Sequence, residues 1–332
     1  MTATDFRSEK NLVLAANAAI DAAGPNDTAA VLQQWTDSEY RWRGVYPFNE
    51  QAGQEAVAGV FWSPLKSAFG QLQRRPDIFM AGLNSIDGGS SKWVVEMGHL
   101  MGLWDEDWIG LPATGKIAFL RYVEFHRIES EKIAESAVYV DILNLMEQSG
   151  TRYFPLQTGT SILTPGPRTQ DGLLFDPQDP VDGKATLDLI EAMIVDLRGN
   201  RVHSPTGHME QFWHPDMCWF GPGGIGASAF FGGYRRGHCQ PFEEGLEYVR
   251  HTEHKCRIGE GRYGGFFGYP SLNMKCTGGF LGMPATKVAA DMRIVDLYRR
   301  EGDRLAENWI FIDLPYFFAQ QGLDILEIIR NS

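Results

Sequence analysis

Two acidic residues sit where an alternating strand pattern surrounds them with apolar neighbours, and they are the first candidates for chemistry. In RYVEFHRI, Arg121 to Ile128, one face carries Tyr122, Glu124 and His126. In RIVDLYRR, Arg293 to Arg300, the same face carries Ile294, Asp296 and Tyr298. The strand that follows in each half is expected to set Ser136, Val138 and Val140, or Asn308, Ile310 and Ile312, opposite them. A carboxylate among Val and Ile must find a partner or take up a proton. Burial is therefore expected to raise the pKa of Glu124 or Asp296, which makes a carboxyl a usable acid or base near neutrality. His126 and Tyr298 are placed to orient or share the proton. The first half holds the richer set, Tyr122, Glu124, His126 and Ser136, and is expected to be the catalytic one. The competing reading is a carboxylate satisfied by a helix N–H or a water in an inert cavity.

The opposite face of the same strands reads as structure. The turns at Ile128–Lys132 and Arg300–Arg304 impose a register that sets Arg121 against Asp141 and Arg127 against Glu135. In the second half it sets Arg293 against Asp313 and Arg299 against Glu307. Cross-strand pairs of opposite charge stabilise by roughly 0.2–1 kcal/mol each. Asp141 and Asp313 are therefore assigned to stability.

The elements that must position these residues occur twice. IGLPATGKIAF, from Ile109, is followed 172 residues later by LGMPATKVAAD, from Leu281. At that constant offset, fourteen of forty-one positions match between Gly110–Gly150 and Gly282–Gly322. Unrelated segments of ordinary composition would share roughly two or three. The chain is an internal duplication whose period is a domain rather than a solenoid turn. The expected organisation is a first domain over 9–150, a connector over 151–185 and a second domain over 186–328. The connector carries Pro155, Pro165, Pro167, Pro177 and Pro180 and no sustained apolar period.

Within each copy, helical spacing comes first and alternating strands last. NLVLAANAAIDAA and TAAVLQQWTDSEY read as helices, with GQEAVAGVFWSPLKSAFGQL as a third interrupted at Pro64. ATLDLIEAMIVDLRG, HMEQFWHPDMCWF and GIGASAFFGGYRRG read as their counterparts. Helices gathered before an antiparallel sheet make an α+β fold.

Composition narrows the partners. The formal net charge is −12 and basic residues do not cluster, which argues against nucleic acid and anionic membrane. No run of eighteen apolar residues occurs, and no basic start precedes an apolar core at the N-terminus. All four cysteines lie in the second copy, so a disulfide framework common to both copies is excluded and a cytoplasmic protein is expected.

Gly-x-Pro-Ala-Thr, then a strand, a short turn, a second strand ending in Asp, then Gln-x-Gly, resembles the SnoaL-like polyketide cyclases of the nuclear transport factor 2-like superfamily. In the second copy HPDMCWFGPGGIGASAF, TGGFLGMPAT, YRREGDRLAENWIFID and AQQG fall in that family's order. The first copy matches from Met97 to Gly150, with about five extra residues, WDEDW, before Ile109. The resemblance implies tandem cones, in which helices close one side of a curved, mainly antiparallel sheet around a cavity. It also implies pairing through outer sheet faces, hence an internal pseudo-dimer with room for further homo-dimerisation. By motif position, the family's catalytic Asp falls at Val138 and Ile310, and its His at Glu124 and Asp296. Both copies therefore lack the Asp, and a carboxylate on the neighbouring strand is the candidate replacement. Cys276 is placed where the family often has His, with His99 as its counterpart in the first copy.

Metal spacing is poor. His214 and Cys218, or His251 and His254, could share a helix face, but no CxxC or HExxH appears and no metal is expected. Gly221–Gly226 fits GxGxxG, yet Pro222 lies inside it and no βαβ unit surrounds it, so it reads as a loop entering a helix. Forty aromatic residues suit a cavity for a flat apolar ligand. The expected function is a cofactor-independent lyase or isomerase acting on a small apolar carbonyl compound, with Glu124 as base and His126 or Tyr122 as donor. Ser136, Val138, Asn308, Ile310, His99 and Cys276 would line the substrate. The alternative is a non-catalytic binding protein for an apolar small molecule.

Overall fold

The structure is a computed structural model and describes residues 5–151, 154 and 158–331. The chain divides into two compact units, one formed by residues 1–151, 165–177 and 326–332, the other by 152–164 and 178–325.

In the first unit α1 (Arg7–Ala22) buries Val13, Ala16, Asn17 and Ile20, the one-face spacing of an amphipathic helix. Then come α2 (Thr28–Trp35), β1 (Thr36–Gly44), β2 (Glu50–Ala52), α3 (Gln54–Val57), a π-helical turn (Ala58–Trp62) and α4 (Ser63–Ala68). Four strands follow, β3 (Phe69–Leu83), β4 (Lys92–Trp104), β5 (Ile117–Glu129) and β6 (Lys132–Val140), and then α5 (Ile142–Gln148). The sheet order is β2-β1-β6-β5-β4-β3, and only the β1–β6 pairing is parallel.

The second unit repeats this order. It runs α6 (Pro180–Gly199), α7 (Thr206–Phe212), β7 (Trp213–Phe220), β8 (Ala227–Ala229), α8 (Phe230–Tyr234), a π turn (Arg235–Cys239) and α9 (Gln240–Gly245). Strands β9 (Leu246–His251), β10 (Cys256–Glu260), β11 (Tyr263–Cys276), β12 (Ala289–Glu301) and β13 (Arg304–Ile312) lead into α10 (Leu314–Ala319). The last helix, α11 (Ile325–Arg330), falls in the first unit from residue 326 onward. The place of the long β3 is shared here by β9 and β10, which pair with the two halves of β11. The two-residue turns between the last strands demand positive φ. Ser130 and Glu131 take it at 49° and 59° in the first unit, and Gly302 at 58° in the second.

Several local expectations change once the sheet forms. TAAVLQQWTDSEY and HMEQFWHPDMCWF are each half helix and half strand, because parallel pairing with β6 or β13 captures the residues after Trp35 and Phe212. His214 and Cys218 thus lie on β7, not on a helix. Pro64 does not interrupt its helix, because it sits in the first turn of α4 after the π turn; Pro241 repeats the arrangement in α9. Gly221–Gly226 leads into the short β8 before any helix starts. The stretch read as a connector is partly structured. Asp179 caps α6 from Pro180 onward by accepting from Val181 N, and the Leu173 segment bonds to β3 through Phe79 N–Gly172 O (2.8 Å) and Leu174 N–Phe79 O (2.9 Å). Pro155 lies outside the described residues.

Candidate active site

The strand register delivers the inner-face set as the alternation requires. Tyr122, Glu124 and His126 pair with Val140, Val138 and Ser136; Ile294, Asp296 and Tyr298 pair with Ile312, Ile310 and Asn308. On the other face Arg121 meets Asp141 at 3.8 Å, Arg127 meets Glu135 at 3.7 Å and Arg293 meets Asp313 at 3.3 Å, while Arg299 bonds Glu307. Asp141 and Asp313 also cap α5 and α10, accepting from Asn144 N and Tyr316 N. Their structural assignment rests on both contacts.

In the first unit the inner face is filled by a cation that the sequence reading missed. Arg74 of β3 donates from Nη1 to Glu96 and Glu124, both at 3.0 Å, and from Nε to Asp21 at 3.1 Å. The Tyr122 hydroxyl donates to Glu96 at 2.5 Å, and Asn17 of α1 to the same oxygen at 3.3 Å. His126 lies 3.3 Å from Glu124 through Nε2 and 2.8 Å from Ser136 through Nδ1. Burial alone would push the Glu124 carboxyl up, but Arg74 and His126 outweigh it and hold Glu124 below its ordinary value. The expectation of a raised pKa at Glu124 is therefore overturned. It is a salt-bridged group held toward its ionised form, poorly suited to be a base near neutrality.

The second unit differs at the decisive positions. Arg74 pairs with Leu100, and Leu100 with Leu120; His251 pairs with Leu272, and Leu272 with Met292, the repeat partner of Leu120. His251 thus stands in the ladder position of Arg74. By the same ladders Phe266, opposite Asp296, stands where Glu96 faces Glu124. The second unit, without that guanidinium and carboxylate, holds a cavity of about 110 Å³. Its walls come from α6 (Met193, Ile194, Leu197), from β7 (Trp213, Trp219), from the α8–π–α9 segment (Tyr234, His238, Phe242) and from Asp296, Tyr298, Asn308 and Ile310 of the hairpin.

Asp296 accepts from Asn308 Nδ2 at 3.0 Å. That bond and the nearby Tyr298 phenol favour the anion, but burial outweighs them and pushes Asp296 up from 3.8 to about 7. The same burial pushes the phenols of Tyr298 and Tyr234 well up, so both remain hydroxyl donors. The cavity histidines stay neutral. Burial pushes His254 down to about 3, with Arg257 adding to it, and His251 down to about 4, with Arg198 adding to it. His254 stacks on Phe266 with ring centroids 4.0 Å apart.

Of the remaining sequence candidates, Val138 faces Glu124, and His99 does not join the inner face. His99 pairs with Arg121, touches Phe119 edge-on and reaches Asp77 at 3.5 Å. Cys276 pairs with Leu246, as Trp104 pairs with Phe69, so its counterpart is Trp104 rather than His99. Among the described residues no group of three or more His, Cys, Asp or Glu is arranged to hold a metal. None of the four cysteines forms a disulfide. No described helix is long and apolar enough to cross a membrane. Arg74, Tyr234, His238 and Trp219 escaped sequence reading. A signal was present for His238, since it follows the Gly-rich loop in a helix otherwise matched to aromatic FW in the first copy.

No protein-family model matches the chain, and no curated protein does. Among solved structures it is similar to a provisionally assigned SnoaL-like polyketide cyclase from Jannaschia sp. CCS1, at 17% identity and a TM-score of 0.36 over 46% of this chain and 98% of that one. It is also similar to an NTF2-like protein from Burkholderia xenovorans LB400, at 12% identity and 0.33 over 42% and 97%. A third, from Catenulispora acidiphila, has a ketosteroid isomerase-like fold and was solved with trimethylamine; it gives 15% identity and 0.32 over 43% and 97%.

Proposed function

We propose that the second unit is a cofactor-independent acid/base catalyst for a compact, mainly apolar carbonyl compound. The observation that carries this is Asp296, a carboxyl buried in a cavity, with no ion pair of its own among the described residues, and pushed up to about 7 by burial. In its ionised form it removes a proton from the carbon next to the carbonyl, leaving an enolate and a neutral carboxyl. Returning that proton to another carbon completes an isomerisation. Attack of the enolate carbon on a second carbonyl of the same molecule, whose oxygen takes the proton back from the carboxyl, closes a ring. Expulsion of a group on the β-carbon, which leaves with the electron pair and takes that proton, gives lysis. A group titrating near the working pH is efficient in both directions. The raised phenols of Tyr298 and Tyr234 supply neutral donors in the same cavity. The polyketide cyclase and isomerase-like neighbours agree with this class of chemistry. The assignment of Glu124, His126 and Tyr122 as the catalytic set is withdrawn, because Arg74 neutralises that carboxylate.

A binding role without chemistry is the second reading, favoured by the Asn308 hydrogen bond that already engages Asp296. Deuterium uptake by a small cyclic ketone in D₂O separates them. Uptake that Asp296→Asn abolishes supports catalysis; ligand binding with no uptake at any pH supports the carrier.

A further inference from the structure

His238 takes no part in the proton transfer at Asp296, yet its place in the cavity is costly. It is the fourth residue of its π turn, where the turn of the first unit carries Phe61. The surroundings correspond as well. His238 stacks on Trp219 with centroids 4.1 Å apart, and Phe61 lies 5.5 Å from Trp42. Trp219 pairs with Asn308, and Trp42 with its repeat partner Ser136. A plain benzene ring thus meets the packing need in one copy of the fold. The imidazole of the other copy brings two nitrogens into an aromatic setting of Trp219, Tyr234 and Phe242. One of them, Nδ1, is buried with no hydrogen-bond partner. Such a group costs stability unless a water or a ligand satisfies it. Burial, with His203 adding to it, holds the ring well below its usual value, so it is neutral and offers one N–H and one lone pair.

We propose that the His238 imidazole anchors the ligand's oxygen by a hydrogen bond, and that the ligand is a neutral, ring-sized ketone rather than a carboxylate or phosphate. The size follows from the cavity, about 110 Å³; an apolar cavity of roughly 150 Å³ takes benzene. The charge follows from the lining, where Arg198 is the one formal cation and Asp296 already the one carboxyl. The proposal rests on the carbonyl reading above and names the group that holds the carbonyl.

The test uses the full chain and two probes of matched shape, cyclopentanone and methylenecyclopentane, which differ by =O against =CH₂. Binding is read from the fluorescence of the cavity tryptophans. His238→Phe, the ring the first unit uses at this position, is expected to weaken the ketone at least about fivefold and the alkene less than about twofold. In wild-type protein labelled with ¹⁵N-histidine, one imidazole signal is expected to move with the ketone and not with the alkene, a result independent of the variant's folding. Cyclopentanecarboxylate is expected not to compete. Equal weakening of both probes, no ketone binding to wild type, or competition by the carboxylate overturns the proposal. Deuterium uptake at the ketone's α-carbon is measured alongside. Selective weakening without uptake supports the anchor while Asp296 catalysis fails; uptake with no selective weakening overturns the anchor and leaves Asp296 catalysis standing.

Discussion

Asp296→Asn removes one titrating proton while keeping the side chain's shape and one oxygen that can accept from Asn308. Asp296 is buried, and its pKa rises from 3.8 to about 7 on folding. As pH climbs past 3.8 the unfolded chain releases this proton, whereas the folded chain holds it until about 7. Within that window the native state binds more protons, so its stability falls as pH rises and levels off above the folded value. At about 1.4 kcal/mol per unit, the loss reaches about 2 kcal/mol by about pH 5.5 and about 4 kcal/mol by about pH 8.5. The Asn variant lacks this term. Its stability relative to wild type should therefore improve by about 2 kcal/mol on going from about pH 5.5 to about pH 8.5. Denaturant unfolding of both proteins at each pH measures the difference, and every other titrating group cancels in it. A variant-minus-wild-type difference that does not change with pH would refute the raised pKa, and with it the argument that burial poises this carboxyl.

Removing the cation in the first unit, Arg74→Met, leaves Glu96 and Glu124 buried against each other and should destabilise by about 3–5 kcal/mol in denaturant melts, with Glu124 moving upward on ¹³C-carboxyl NMR titration. Glu124→Gln should lower stability and leave deuterium uptake by a cyclic ketone at the wild-type rate; loss of uptake would return the chemistry to the first unit. His251→Arg places a guanidinium in the position of Arg74 and should lower the pH midpoint of uptake by about one to three units, read from a pH–rate profile. Asp313→Asn breaks the pair with Arg293 and weakens the cap on α10; it should lower melting temperature without changing uptake by the folded protein.

Much of the scaffold was legible because it depends on local periodicity. The hairpin register followed from turn length and alternation, and all four Arg–carboxylate pairs stand where that register placed them. The β1 and β7 strands were not legible, since parallel pairing with a strand roughly ninety residues away captures a segment whose own pattern continues a helix. Arg74 was equally hidden. It lies on β3, where its neighbours Arg75 and Pro76 give no sign that one guanidinium turns inward while the next lies elsewhere.

What the sequence determined by itself was a duplicated α+β fold and two inward-facing acids, because strand alternation and a 172-residue repeat are properties of neighbouring residues and of the chain compared with itself. Tertiary structure decided which acid is free to titrate. Glu124 and Asp296 hold equivalent positions on β5 and β12 and differ in what the neighbouring strands bring: Arg74 and Glu96 in one unit, the neutral His251 imidazole and Phe266 in the other. Charge interactions in a buried site depend on distance through space, and that distance exists only once the sheet has closed.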